Sequence, residues 1–213
     1  MTEQQHREEI VRFGRLLHQR GYVAATDGNL SVRIGSEMVL CTPTSVSKGM
    51  MSPEDMVLVD MHGRKVSGAR ACSSEVAMHL LIYRLRPDVN GIVHAHPTTA
   101  TGYAAAGMQM NEALISEVVL SLGAIPLASY GTPGTPELSD ALEPLIPNHD
   151  AIIMANHGVV TYGDTLLRAY MNMETVEHFA KISLVSHILG RQHPLDEKQV
   201  EKLFAVVRSR DLS

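Results

Sequence analysis

Two short apolar runs that end in histidine constrain this chain more than any other feature. Gly91-Ile92-Val93 leads into His94-Ala95-His96, and Ala151-Ile152-Ile153-Met154 leads into Asn156-His157. Runs of this length read as buried strands. Side chains alternate between the two faces of a strand, so His94 and His96 point to the same side. A sheet that brings the end of the second run alongside adds His157. Three imidazoles with a fourth position left open is the pattern of a catalytic zinc site, whereas structural zinc is usually closed by four ligands. In a chain of eleven histidines, a His-x-His pair taken alone fits hydrogen-bonded core or surface residues equally well. The motifs around it separate the two readings.

The rest of the chain supplies helices and further strands. Residues 3–20 have Ile10, Phe13 and Leu17 on one helical stripe, and Gly21 is placed to end the helix. Segments 30–34, 38–41 and 56–60 read as strands between Gly-, Ser- and Pro-containing turns. Ser73 or Ser74 can cap a helix that runs to about Arg86, where Pro87 stops it. Pro97 opens a short helix to about Ala106. Segment 124–128 reads as a strand, and Thr135-Pro136-Glu137 starts a helix toward Leu145. Asp164 is a cap for a long helix to Leu189, and a last helix covers about 196–208. Strands crowded early, then interleaved with helices, point to a single domain over 1–213 with a sheet covered by helices on both faces. Periodicity does not set the strand order.

Composition narrows the partners. The formal charge of −5 and the lack of a basic tract argue against nucleic acid. No apolar run approaches the roughly 18 residues of a membrane span. The polar, helix-patterned start does not read as a signal peptide. Two cysteines, Cys41 and Cys72, make no disulfide framework and fit a reducing, cytoplasmic setting. Only 19% of residues are charged, which suits an oligomer.

A second constellation joins small polar groups with glycine. Asp27-Gly28-Asn29, Thr42-Pro43-Thr44-Ser45 and Ser73-Ser74 each fall at a junction between elements. Each alone is an ordinary turn or cap. Together these three groups could cradle a phosphate, since free N–H groups and the dipole at a helix start favour an anion. Glu75 follows directly. It is either a first-turn glutamate favoured by the dipole or a general base beside a Lewis acid. His79, one turn later, is an alternative ligand or a packed helix residue.

The blocks ATDGNLSVR, CTPTS, SSEVAMHLLIYRLRPDVNGIVHAHP, YGTPGTPELSDAL and ANHGVVTYG occur in that order. In this the chain resembles the class II aldolase/adducin head family, typified by L-fuculose-1-phosphate aldolase, over about residues 5–205. The resemblance implies a three-layer α/β/α fold with a central, largely antiparallel sheet. It implies zinc, or another divalent metal, held by His94, His96 and His157, with Glu75 as catalytic base and a fourth ligand at rest. The phosphate of the sugar substrate would lie on Gly28, Asn29, Thr44, Ser45, Ser73 and Ser74. A homotetramer with active sites between subunits is implied as well.

The implied reaction is reversible cleavage of a ketose 1-phosphate to dihydroxyacetone phosphate and an aldehyde, through an enediolate. Departures bear on the substrate. The family's tyrosine acid should precede AIPLA, where this chain has Leu114-Ile115-Ser116-Glu117, and 202–210 contains no tyrosine. Thr44-Ser45 stands where Thr-Gly is usual. Glu117 is the candidate replacement acid, with Tyr103 and Tyr130 as outside candidates; an ion-pairing role for Glu117 is the alternative. Other members of the family remain open: a sugar-acid phosphate decarboxylase or a methylthioribulose-phosphate dehydratase. Glu75 argues against a ribulose-phosphate 4-epimerase, where aspartate is usual. The retained histidines argue against a non-catalytic adducin-like module.

Overall fold

The structure is a computed structural model and describes residues 1–210. Its centre is an eight-stranded sheet: β1 (Asn29–Ile34), β2 (Met38–Cys41), β3 (Val57–Asp60), β4 (Lys65–Ser67), β5 (Gly91–Ala95), β6 (Leu127–Ala128), β7 (Ala151–Met154) and β8 (Gly158–Gly163). The spatial order is β4-β3-β2-β1-β5-β8-β7-β6. All neighbours are antiparallel except β6 and β7. Among the described residues seven α-helices accompany it: α1 (Glu3–Gln19), α2 (Val76–Leu85), α3 (Thr98–Ala105), α4 (Ser116–Ser121), α5 (Pro136–Leu142), α6 (Leu166–Ile188) and α7 (Glu197–Arg210).

Two apolar clusters show how the layers form. One joins Ile10, Phe13 and Leu17 of α1, Ala100 of α3 and Met173 and Phe179 of α6 to Leu30, Val93, Ile153 and Val159. The other joins Met78 and Ile82 of α2 and Leu138 of α5 to Val39, Val57, Ile92, Ile152 and Val160. Neighbouring strand residues such as Ile92 and Val93 fall in different clusters, as a period of two requires. Both faces of the sheet are therefore covered, and the α/β/α architecture expected from the sequence is present. At Gly91 an added Cβ would collide with the backbone of Leu166, so glycine permits α6 to lie against β5.

Several local expectations change. β4, β8 and α4 have no counterpart in the sequence reading. Thr165, not Asp164, caps α6, its hydroxyl accepting from the Arg168 N–H. Neither Ser73 nor Ser74 caps α2; the cap position falls to Glu75. The expected strand 124–128 shrinks to Leu127–Ala128 because Pro126 has no N–H to donate, and Ile125 pairs instead with Met110.

Candidate active site

β5 lies between β1 and β8, and the register sets the site. Asn29 on β1 faces His94 on β5, and Ser31 faces Ile92. Residues directly opposite each other share a face, so Asn29, Ser31, His94 and His96 project toward α2. The turn from β7 to β8 carries Ala155-Asn156-His157. Asn156 takes the left-handed conformation at φ 54°, which Asn tolerates better than most residues. Gly158 follows because a Cβ there would strike the His96 ring and the Ala95 carbonyl. The NHG motif thus contains a turn residue, an imidazole and a glycine that leaves room for the second imidazole.

Ring nitrogens of His94, His96 and His157 come within 4.8 Å of one another, close enough to share one ion. His94 Nδ1–H donates to the Val159 carbonyl at 2.9 Å, which leaves Nε2 to face the cluster. There Nε2 meets His96 Nε2 at 3.2 Å and Glu75 Oε2 at 3.3 Å. His157 Nε2 lies 3.2 Å from Glu75 Oε1. Glu75 Oε1 and His157 Nδ1 are buried without a hydrogen-bond partner. Electron-rich atoms converging in this way are stable only with a cation or proton among them. Three imidazoles beside a carboxylate therefore fit a divalent metal.

Charge within the cluster follows the same logic. Burial works to raise the Glu75 carboxyl, but the positive charge of His94 and the close approach of the His157 imidazole hold it well below the usual carboxylate range. Burial works against charge on His94, yet the Glu75 carboxylate outweighs it and holds this imidazole above its ordinary value. His96 is pushed down to about 4 by burial and by its two neighbouring imidazoles. Its Nδ1 also lies 3.5 Å from Asp27 Oδ2.

A buried chain of side chains orients Glu75. Asn29 Nδ2–H donates to Glu75 Oε2 at 2.8 Å. Asn29 Oδ1 can only accept, so His79 Nε2–H donates to it, at 2.5 Å. His79 Nδ1 then accepts from the Ser31 hydroxyl at 2.6 Å, and Ser31 Oγ accepts from Tyr83 OH at 2.9 Å. His79 is 2% exposed, and burial pushes its pKa down to about 3, which keeps the ring neutral as this chain requires. It is a packed helix residue, outside the three-imidazole group. Glu177 is buried on α6 and accepts from the N–H groups of Thr99 and Ala100, fixing the start of α3.

Beside the cluster is a polar cavity of about 210 Å³. Asp27, Gly28 and Asn29 form one wall, Thr44, Ser45 and Lys48 a second, and Ser73, Ser74 and Glu75 a third, with His96 at the margin. All six residues expected to cradle a phosphate line this one cavity. Gly28 has φ +71°, and a Cβ there would lie 2.7 Å from the His94 carbonyl oxygen. Close packing on β5 therefore requires this glycine, in addition to any approach by a ligand. Ser45 also has positive φ, 57°, a conformation that favours glycine.

Glu117 is not brought to this site. It is exposed on α4 and does not line the cavity, while its neighbours Val118 and Val119 are buried. The apolar run beside it turns inward and leaves the carboxylate in solvent. Tyr130 is also exposed, and Tyr103 OH donates to Ser183 Oγ. The sequence reading missed Ser31, Tyr83 and Lys48. Ser31 lies two residues from Asn29 on a strand, and Tyr83 one turn from His79, so periodicity held the signal for both. Lys48 in its loop carried none.

The comparisons with known proteins agree with this geometry. Residues 8–184 match the family described as Class II Aldolase and Adducin N-terminal domain. A 3-oxo-tetronate 4-phosphate decarboxylase of Haemophilus influenzae is 35% identical, the match covering 85% of this chain and 88% of the relative. A 5-deoxy-D-ribulose 1-phosphate aldolase of Bacillus thuringiensis serovar kurstaki is 31% identical, over 95% of each chain. The solved structure of an L-fuculose 1-phosphate aldolase superposes with a TM-score of 0.87 at 30% identity, covering 95% of both chains. Fold and site together define a metal-dependent carbon–carbon lyase. The chain belongs to the class II aldolase/adducin family.

Proposed function

We propose that this chain is a single catalytic domain that cleaves a carbon–carbon bond in a phosphorylated sugar, with reversible aldol cleavage of a ketose 1-phosphate as the leading reading. The observation that carries it is the Glu75 carboxylate set against His94 and His157 at the edge of the polar cavity. His94, His96 and His157 would hold zinc or another divalent ion, with Glu75 as a fourth ligand at rest. Such an ion would supply Lewis-acid chemistry toward the substrate carbonyl. Gly28, Asn29, Thr44, Ser45, Ser73 and Ser74 anchor the phosphate, so remote binding energy positions the reacting carbons.

In the cleavage direction the C3–C4 bond breaks and its electron pair stays on C3. C4 loses its hydroxyl proton and leaves as an aldehyde. Glu75 carries the proton that C3 takes up, giving dihydroxyacetone phosphate, and removes it in the reverse direction. Asn29 keeps the carboxylate aimed. The proton from the C4 hydroxyl goes to water or to a group of a neighbouring subunit, Glu117 being the candidate. A pH–rate profile of Glu117→Gln with an unchanged acid limb would remove it. The exposed Val185, Ile188 and Leu189 near the end of α6 offer apolar surface that a homotetramer would cover. A cytoplasmic location suits both the substrate class and the described residues, among which no helix is long and apolar enough to cross a membrane.

A second reading is decarboxylation of a 3-oxo sugar-acid phosphate. It draws support from the relative of that name and from the exposed position of Glu117, because carbon dioxide departs without a hydroxyl proton to remove. Incubation of the zinc-loaded protein with ketose 1-phosphates and with 3-oxo sugar-acid 4-phosphates, products identified by mass, decides between them. An aldehyde plus triose phosphate supports the first reading, and carbon dioxide the second. Turnover of neither class would sink both.

A further inference from the structure

We propose that Lys48 is the charge partner of the substrate's phosphoryl group. This rests on the reading that the polar cavity takes a phosphate. Lys48 is 1% exposed, yet it reaches the cavity wall. Its Nζ donates to the Thr26 carbonyl at 2.8 Å and the Val46 carbonyl at 2.7 Å. An ammonium has three donors, so one proton remains for a third acceptor. Among the described residues no carboxylate lies within ion-pair distance of Nζ. A buried cation held only by neutral carbonyls is costly, and an anionic ligand offsets that cost.

The charge of the cavity makes the need reciprocal. Asp27 and Glu75 both line it, and both repel a phosphate dianion. The serine and threonine hydroxyls and the N–H groups at the start of α2 are neutral donors. Lys48 is the lysine or arginine in the lining. Burial pushes its pKa down to about 8, with Asp27 acting in the opposite sense, so the ammonium is charged near neutrality. The two carbonyls it holds belong to the loops that form two of the three walls. The same contact therefore shapes the cavity and supplies its positive charge.

Binding of inorganic phosphate to wild-type protein, Lys48→Gln, Lys48→Met and the double variant Ser73→Ala/Ser74→Ala, measured by calorimetry near pH 7, tests the proposal. Thermal midpoints of the unliganded proteins are recorded alongside. Gln keeps a donor for the carbonyls but no charge; Met keeps neither. The expected result is phosphate binding weakened roughly tenfold or more in both Lys48 variants, the size of a lost charge-assisted hydrogen bond, with the Gln variant's midpoint close to wild type. Unchanged affinity in both Lys48 variants, with weakened binding in the serine variant, would overturn the role of Lys48 and leave the phosphate cavity standing. Weakened affinity matched by an equal fall in midpoint in both would reduce Lys48 to a loop tie and overturn the proposal. No phosphate binding by wild type would remove the phosphate reading and Lys48's part in it together.

Discussion

Asn29 on β1 donates its amide proton to Glu75 Oε2 at 2.8 Å, so a strand residue orients the carboxylate at the start of α2. Asn29→Asp would replace that donor with a second carboxylate. Like charges raise the pKa of the pair. We expect kcat to fall about ten- to a hundredfold, as for loss of a hydrogen bond to a charged group. The acid limb of the pH–rate profile should move to higher pH. An unmoved limb would mean that Glu75 is aimed by something else.

His79 should make the protein acid-sensitive. Its pKa is about 3 in the fold, against an ordinary value of 6.5. The unfolded chain therefore binds the extra proton first. The stability tied to neutral His79 is complete above about pH 6.5 and drains away as pH falls toward about 3, by on the order of 1 kcal/mol per pH unit. Denaturant unfolding of wild type and His79→Gln across this range checks it. The variant should be less stable at pH 7 but show a flatter dependence; parallel curves would refute the assignment.

Metal content should follow the three imidazoles. We expect one divalent ion per chain in the wild type and its loss in His96→Ala, read by elemental analysis. A chelator should lower the thermal midpoint of the wild type and leave that of the variant in place, since only the folded state binds the ion. Full metal retention in His96→Ala would move the site elsewhere.

Glu75→Gln should keep the fold and lose proton transfer. The amide matches the carboxylate in shape but is no base at neutral pH. A drop of roughly a hundred- to ten-thousandfold in kcat is expected, with a circular dichroism spectrum like that of the wild type. Turnover at the wild-type rate would leave Glu75 a helix-start residue.

Ser45→Gly should stabilise the chain. Ser45 sits at φ 57°, where a side chain costs about 1 kcal/mol that glycine does not pay. The gain is offset in part by the greater freedom of glycine in the unfolded chain. Denaturant midpoints of the two proteins measure the net effect, and a clearly lower midpoint in the variant would show that the hydroxyl holds the loop.

Much of this site was legible in the sequence because its residues sit where periodicity can be counted. His94 and His96 follow strand alternation, and the cradle residues all fall at element junctions. β8 was hidden, because Gly158–Gly163 follows the NHG turn at once and reads as part of the motif. β4 is three exposed residues with no apolar pattern. Glu117 showed the reverse problem: adjacency to an apolar run says nothing about which way a helix residue faces. Lys48 was out of reach because its burial depends on loops that meet only in three dimensions.

The cavity lining has a consequence for how such enzymes diversify. Apart from His96, its residues come from positions 26–75, whereas the three imidazoles come from 94–157. On the proposed reading, the phosphate cradle and the general base are thus encoded in one stretch of the gene and the metal ligands in the next. A crossover near residue 80 between two relatives would exchange the cavity lining and Glu75 together and keep the three imidazoles in place. On that reading, recognition of the phosphate is inherited as one block.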